Sequence, residues 1–404
     1  MTLELNQVAV QVKAMGRSMA EQSTVRQEAV QKAQALLEQF STEFTPLHDR
    51  IVLAEQALQR LRFDWVGAAP TNEALAQAFP QPECPERLTV IASDGSQILP
   101  DRHAITLYYV INIGSIVYRH GSNRKPDTYK PKPVLRYDPD DLLDERGNLI
   151  SPGEIGVIRD LAEIEVLTQL APAYTREGTE PVIALMDGQL TLRVIDLPFD
   201  QQDERREEHV AMLNTLREAG APIAGYIDRP RSTFVLSLMH LASLEAETIS
   251  EEALRHNPFR HLTDLELFDA LLGPGQRSAI FTIRAKGLEI YDQAGHTIHF
   301  FYLNLSSDPA WPHLARVEVP AWVATNPAVL DVLHAAIIRQ ARLTGGYPYV
   351  LARADELAVI SGEERDAVEM MLAVEMRRQK MIPELSLKQH NKNAFRAGKE
   401  GFKL

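Results

Sequence analysis

Two short stretches of this chain join an apolar run to an aspartate and a glycine. Leu88–Ser96 reads Leu-Thr-Val-Ile-Ala-Ser-Asp-Gly-Ser, and Pro181–Gly188 reads Pro-Val-Ile-Ala-Leu-Met-Asp-Gly. Short apolar, β-branched runs of this kind read as buried strands. Each would deliver an aspartate, Asp94 or Asp187, at its C-terminal end. Gly95 is free to take the positive φ of a sharp turn, and Ser96 adds a hydroxyl. Two carboxylates at matching strand ends suit a hard divalent cation, which takes oxygen ligands. A single Asp-Gly would be read as a turn signal. The repetition at two strand ends weights the pair toward a site.

Composition bounds what such a site can serve. The chain has 404 residues, 45% of them hydrophobic, and a formal charge of −13. That is enough for a sizeable core, and it supplies no global positive field, so contact with DNA must rest on local basic patches. The one cysteine, Cys84, excludes an internal disulfide and a cysteine-based zinc site. No apolar run approaches a membrane span and no signal-peptide pattern opens the chain, so a soluble cytoplasmic protein with no membrane partner is expected.

The elements that must position the two aspartates follow from periodicity. Residues 3–62 predict a long amphipathic helix or helical hairpin, with Leu5, Val8, Val12, Met15 and Met19 on one stripe. Residues 66–87 carry Pro70, Pro80, Pro82 and Pro85 and read as a linker. After the Asp94 strand, 103–119 predicts two antiparallel strands with a turn near Asn112–Ser115. Residues 121–153 read as a loop. Arg119, Arg124, Lys125, Lys130, Lys132 and Arg136, interleaved with Tyr129 and Tyr137, are either a single-strand contact region or a solvated surface. A helix over 154–171 carries Glu163 and Glu165. Then come the Asp187 strand, a helix near 202–219, a strand at 223–227 and a helix from Ser232, a natural N-cap. Strands at 279–284, 297–305 and 314–319 precede helices near 327–343, 354–361 and 363–380, and a basic tail from Lys388.

Three strands before the first helix argue against a doubly wound sheet and favour a mixed one. The order resembles the ribonuclease H-like fold. Nucleases of that class place carboxylates on the first strand, the first helix, the fourth strand and a late helix; Asp94, Glu163 or Glu165, and Asp187 fall in the first three places. Three further stretches sharpen the resemblance: Gly-Tyr-Ile-Asp-Arg-Pro-Arg-Ser at Gly225–Ser232, Ala-Arg-Val-Glu-Val-Pro at Ala315–Pro320, and Gly-Tyr-Pro-Tyr-Val-Leu-Ala-Arg-Ala-Asp at Gly346–Asp355. With the two Asp-Gly motifs they resemble the NurA nuclease family over roughly 88–361. The fold class expected is α/β, a ribonuclease H-like mixed sheet with flanking helices and a long N-terminal helical arm. The domains would be the arm (1–65), a linker (66–87), the nuclease domain (88–361) and a C-terminal helix with basic tail (362–404).

The resemblance implies a DNA nuclease dependent on two Mn²⁺ or Mg²⁺ ions, acting as a 5′→3′ exonuclease and single-strand endonuclease in DNA end resection. It also implies a homodimer docked on a HerA-type hexameric ATPase. Asp94, Glu163, Asp187 and Asp355 would be the metal ligands, with Asp94 bridging both ions; Glu163 is preferred over Glu165 because it lies four residues after Arg159. Asp355 stands where archaeal relatives carry histidine, and Arg229 or Arg231 would supply a charge that many relatives take from a lysine. Tyr226 either contacts the scissile phosphate or packs beside the metals. Arg316 and Glu318 share a strand face and form an ion pair or meet DNA. His313 is a proton carrier or a loop residue. Ser96 is a further possible site residue, and Lys125, Lys130, Lys132, Arg229 and Arg231 are the expected DNA contacts. Two other readings stay open: a catalytically weak scaffold that docks a DNA translocase, and an actin-like ATPase, which would lack a glycine-rich second phosphate loop at Gln189–Leu192.

Overall fold

A computed structural model describes residues 4–58, 65–102, 104–129, 133–143, 147–178, 180–308 and 311–380. In chain order, helices α1 (Leu5–Gln39) and α2 (Phe44–Leu58) lead to strands β1 (Gly67–Pro70), β2 (Leu88–Ile98), β3 (Tyr109–His120), β4 (Asp127–Tyr129) and β5 (Val134–Arg136). Helices α3 (Pro139–Leu142) and α4 (Pro152–Glu177), β6 (Val182–Asp187), α5 (Phe199–Glu218), β7 (Ile223–Asp228), α6 (Phe234–Ala242), α7 (Glu251–Arg255) and α8 (Asp264–Asp269) follow. The chain continues with β8 (Phe281–Arg284), α9 (Glu289–Gln293), β9 (Ile298–Asn304), β10 (Leu314–Pro320), α10 (Ala321–Ala324), α11 (Pro327–Arg342), α12 (Tyr349–Ala358) and α13 (Gly362–Arg378). The architecture is the expected mixed α/β one, with sheet flanked by helices and a helical N-terminal region.

The chain divides into two compact units. One comprises Met1–Pro85, Gly188–Leu190 and Ala224–Pro348; the other comprises Glu86–Asp187, Thr191–Ile223 and Tyr349–Leu404. In the first, β1, β8, β9, β10 and β7 pair antiparallel in that order. Its core holds the stacked and edge-on rings of Phe268, Phe281, Phe300 and Tyr302. In the second, β2 pairs antiparallel with β3 and parallel with β6, and β3 carries β4 and β5. Helices α4 and α12 both lie against β2 and β3.

Several expected elements differ. Of the two forms expected for the N-terminal segment, one long helix is not the one found: α1 ends at Gln39 and α2 follows from Phe44, with Leu5, Val12, Met15, Met19 and Val25 of α1 exposed and Ala33, Leu37 and Phe40 buried. The segment expected as a linker contributes β1 and is pinned by Arg277, which bonds Glu73 at 2.9 Å through both terminal nitrogens and lies over the Phe79 ring. Proline survives in β1 because β8 is its one strand neighbour in that unit. No turn interrupts 112–115; β3 is one strand of twelve residues. Gly114 serves close approach there: a Cβ would stand 2.6 Å from the Ala354 carbonyl oxygen of α12. Nor does Ser232 cap α6. Its hydroxyl meets that of Tyr302, and the buried Asp264 carboxylate accepts the orphan N–H groups of Val235 and Leu236. The expected loop 121–153 contains β4, β5 and α3, and the basic tail lies outside the described residues.

Candidate active site: an acidic cluster across strands β2 and β6

Strands β2 and β6 run parallel in a register that ends at Ser93 opposite Met186. The next residues are Asp94 and Asp187, so neighbouring strands place the two aspartates side by side with the same parity. Asp187 closes its strand, and Gly188 takes φ 98° in the turn that follows. Asp94 does not. It lies inside β2, which continues to Ile98, and Gly95 has no positive φ. The glycine is needed for proximity instead: a Cβ there would come within 2.7 Å of Arg159 Cγ and of Glu163 Oε1.

Strand parity sorts the remaining candidates. Ser93 donates its hydroxyl to the Glu163 carbonyl of α4 at 2.7 Å, so odd positions of β2 meet α4. Ser96 donates to the Ala358 carbonyl of α12, as does Asn112 Nδ2 at 2.7 Å, so even positions meet α12. Asp94 therefore shares the α12 face with the helix that carries Asp355. Glu163 comes from the α4 side, where it is buried and paired with Arg159 at 3.2 Å. Glu165, two residues on and so nearly opposite on the helix, is exposed and accepts from Gln169 at 3.1 Å.

The electrostatics follow. Burial pushes Asp94 up to about 6; Asp187 and Asp355 add to the rise, while the Gly95 N–H bond and Arg159 oppose it. Burial also holds Glu163 well above the ordinary carboxylate range, with Asp160, Asp94 and Asp187 adding to the effect and Arg159 opposing it. Carboxylates that raise one another in this way form a concentration of negative charge suited in kind to a hard cation. In geometry the set is split between the two faces of β2. Among the described residues, no three His, Cys, Asp or Glu side chains converge closely enough to hold a metal ion.

Other sequence candidates lie elsewhere. In the first unit Tyr226 is fully buried, edge-on to Tyr347 at 5.3 Å. Arg316 is buried, pairs with Glu318 at 2.7 Å and lies over the Phe234 ring, so it presents no charge to solvent. Glu318 also accepts the Leu190 N–H at 2.9 Å. Arg229 and Arg231 are exposed, Arg229 at φ 42°. Lys125 is exposed, and Lys130 and Lys132 lie outside the described residues. Arg119 and Tyr129 are partly committed: Arg119 bonds Asp127, and the Tyr129 and Tyr174 hydroxyls meet at 2.6 Å. His313 Nε2 lies 2.6 Å from Asp228 Oδ1, a pair set by the β7–β10 register. Arg159 is a site residue that the sequence signals only through its four-residue spacing from Glu163.

A model of the NurA domain family matches residues 88–360. No curated protein matches the chain.

Proposed function

The chain belongs to the NurA family of nucleases, which act on DNA, and on that premise we propose that it is a divalent-cation-dependent deoxyribonuclease whose acidic cluster is the catalytic centre. The observation that carries the reading is the placement of Asp94 beside Asp187 on adjacent parallel strands. Asp94 and Asp187, with Asp355 from α12 and Glu163 from α4, would hold Mn²⁺ or Mg²⁺, which requires these side chains to draw closer than they stand here. A pair of such ions supplies an activated water and neutralises the leaving oxygen of a phosphodiester. The chain's own groups do the rest. Asp94 and Asp187 fix a common point of negative charge on the rigid β2–β6 ladder. Ser93 holds α4 to β2, and Ser96 and Asn112 hold α12, so the helices that carry Glu163 and Asp355 cannot drift from it.

DNA would be held by local cations, with Lys125, Arg229 and Arg231 exposed for the purpose. We further propose the 5′→3′ exonuclease and single-strand endonuclease activities of end resection, a HerA-type hexameric ATPase as partner, and a homodimer. Exposed apolar residues on α1 (Leu5, Val12, Met15, Met19) and α13 (Met370, Met371, Val374) support a protein partner for those helices. Most of α11 is turned inward and is the weaker surface. No helix among the described residues is long and apolar enough to cross a membrane.

The test is incubation with DNA labelled at the 5′ or 3′ end, with Mn²⁺ or Mg²⁺, with and without chelator. Metal-dependent degradation is expected, and the labelled end reports polarity. Intact DNA with either metal, alone and with the ATPase, would overturn the reading. Light scattering should give about twice the 45.3 kDa chain mass, and deleting residues 1–62 should weaken the dimer or the docking.

A further inference from the structure

A guanidinium stands among these carboxylates. Arg159 rises from α4 between the carboxylates. Its Nε lies 3.2 Å from Glu163 Oε1, its Nη2 donates to Asp160 Oδ1 at 2.7 Å, and its Nη1 donates to Gln97 Oε1 at 3.2 Å. One planar guanidinium thus joins two carboxylates of α4 to a side chain of β2, a geometry that an ammonium cannot reproduce. Gly95 makes the room: any larger residue there would press on the Arg159 stem and on the Glu163 carboxylate together. Glu163 is 5% exposed, and a buried carboxylate is strongly disfavoured without a paired charge. The carboxylate that a cation at Asp94 and Asp187 would recruit from α4 is therefore already held by Arg159.

We infer that Arg159 is a positioning residue, the internal counter-cation that fixes Glu163 within the acidic cluster and that a bound divalent cation must compete with. This rests on the reading of the cluster as a metal site. It has two consequences. Removing the guanidinium should destabilise the protein through Glu163, and added divalent cation should then supply the missing charge.

Both are tested by a cycle of Arg159→Met, Glu163→Gln and the double variant in the full chain, with melting temperature read in chelator and in Mn²⁺. In chelator, Arg159→Met should lower the melting temperature by several degrees in the parent chain, and by much less in the Glu163→Gln background. Mn²⁺ should raise the melting temperature of Arg159→Met by about 2–4 °C more than that of the parent chain, and isothermal titration should give Arg159→Met the tighter Mn²⁺ binding. Equal losses in both backgrounds would show that Arg159 does not act through Glu163. An Mn²⁺ effect no larger in Arg159→Met than in the parent would overturn the competition. Should Arg159→Met fail to fold, Arg159→Lys carries the same cycle, since lysine keeps the charge but cannot reach Glu163, Asp160 and Gln97 at once. If no protein in the set responds to Mn²⁺, including the parent, the metal-nuclease reading fails, while the chelator arm still decides whether Arg159 fixes Glu163.

Discussion

Replacing Asp94 by asparagine should make the protein more stable and inactive. Burial lifts the Asp94 carboxyl from 3.8 to about 6, and the neighbouring Asp187 and Asp355 contribute to the rise. At 1.36 kcal/mol per pH unit, the cost of ionised Asp94 above pH 6 is at most about 3 kcal/mol. The group is only half-buried, so solvent screening reduces this to about 1–2 kcal/mol. The sign follows from linkage. Between about 3.8 and 6 the folded state holds the Asp94 proton more tightly than the unfolded state, so stability falls as pH rises through that window and levels off above it. Asparagine removes the charge while its Oδ1 can still accept the Gly95 N–H, which bonds Asp94 at 2.8 Å. Urea denaturation in chelator should give Asp94→Asn and the parent chain equal stability near pH 4, with a gap that opens to about 1–2 kcal/mol by pH 7 and stays there. Mn²⁺ should stabilise the parent and not the variant, and DNA cleavage should be lost. Equal stability at pH 7 in chelator would refute the electrostatic reasoning, and a fully active Asp94→Asn would refute the site.

Other changes test the scaffold and the DNA contacts. Glu318→Ala leaves Arg316 buried and the Leu190 N–H without its acceptor, and should cost about 3–5 kcal/mol in denaturant titration, whereas Arg316→Met with Glu318→Leu should recover the ion-pair part of that loss and keep only the cost of the unpaired Leu190 N–H, about 1–3 kcal/mol. Burial lowers His299 and His334 from 6.5 to about 4. Below 6.5 the unfolded chain therefore binds protons that the folded one does not, and stability should fall from pH 6.5 toward 4; Asp94 works in the opposite sense over 3.8–6, so the acid limb should steepen in Asp94→Asn. If Arg229 and Arg231 each meet a phosphate, removing either should flatten the dependence of log affinity on log salt by about 0.7–0.9, measured by anisotropy; unchanged slopes would show that they do not.

How much of this was legible in the sequence depends on how local the determining physics is. The β6 strand and helices α4, α5, α11 and α13 lie close to where periodicity and caps place them, whereas α12 begins at Tyr349, five residues before the expected start at 354. Ser151 with Glu154, and Ser361 with Glu364, close reciprocal capping boxes. The errors concern residues whose role is set by a distant neighbour. Gly95 and Gly114 suggest turns because glycine is the default turn residue, yet both sit inside strands, where backbone or side chains of α4 and α12 come too close for a Cβ. Ser232 suggests a cap because serine caps helices locally, yet an aspartate 32 residues away by number, Asp264, takes the α6 amides. The site shows the same division. Asp187 at a strand end and the buried Glu163 are legible from pattern. That Asp94 lies in mid-strand, that parity puts it with Ser96 on the α12 side, and that Arg159 holds Glu163 all depend on which helix covers which face of β2. Sequence spacing cannot specify that choice, because period-two alternation assigns residues to two faces without saying what each face will meet.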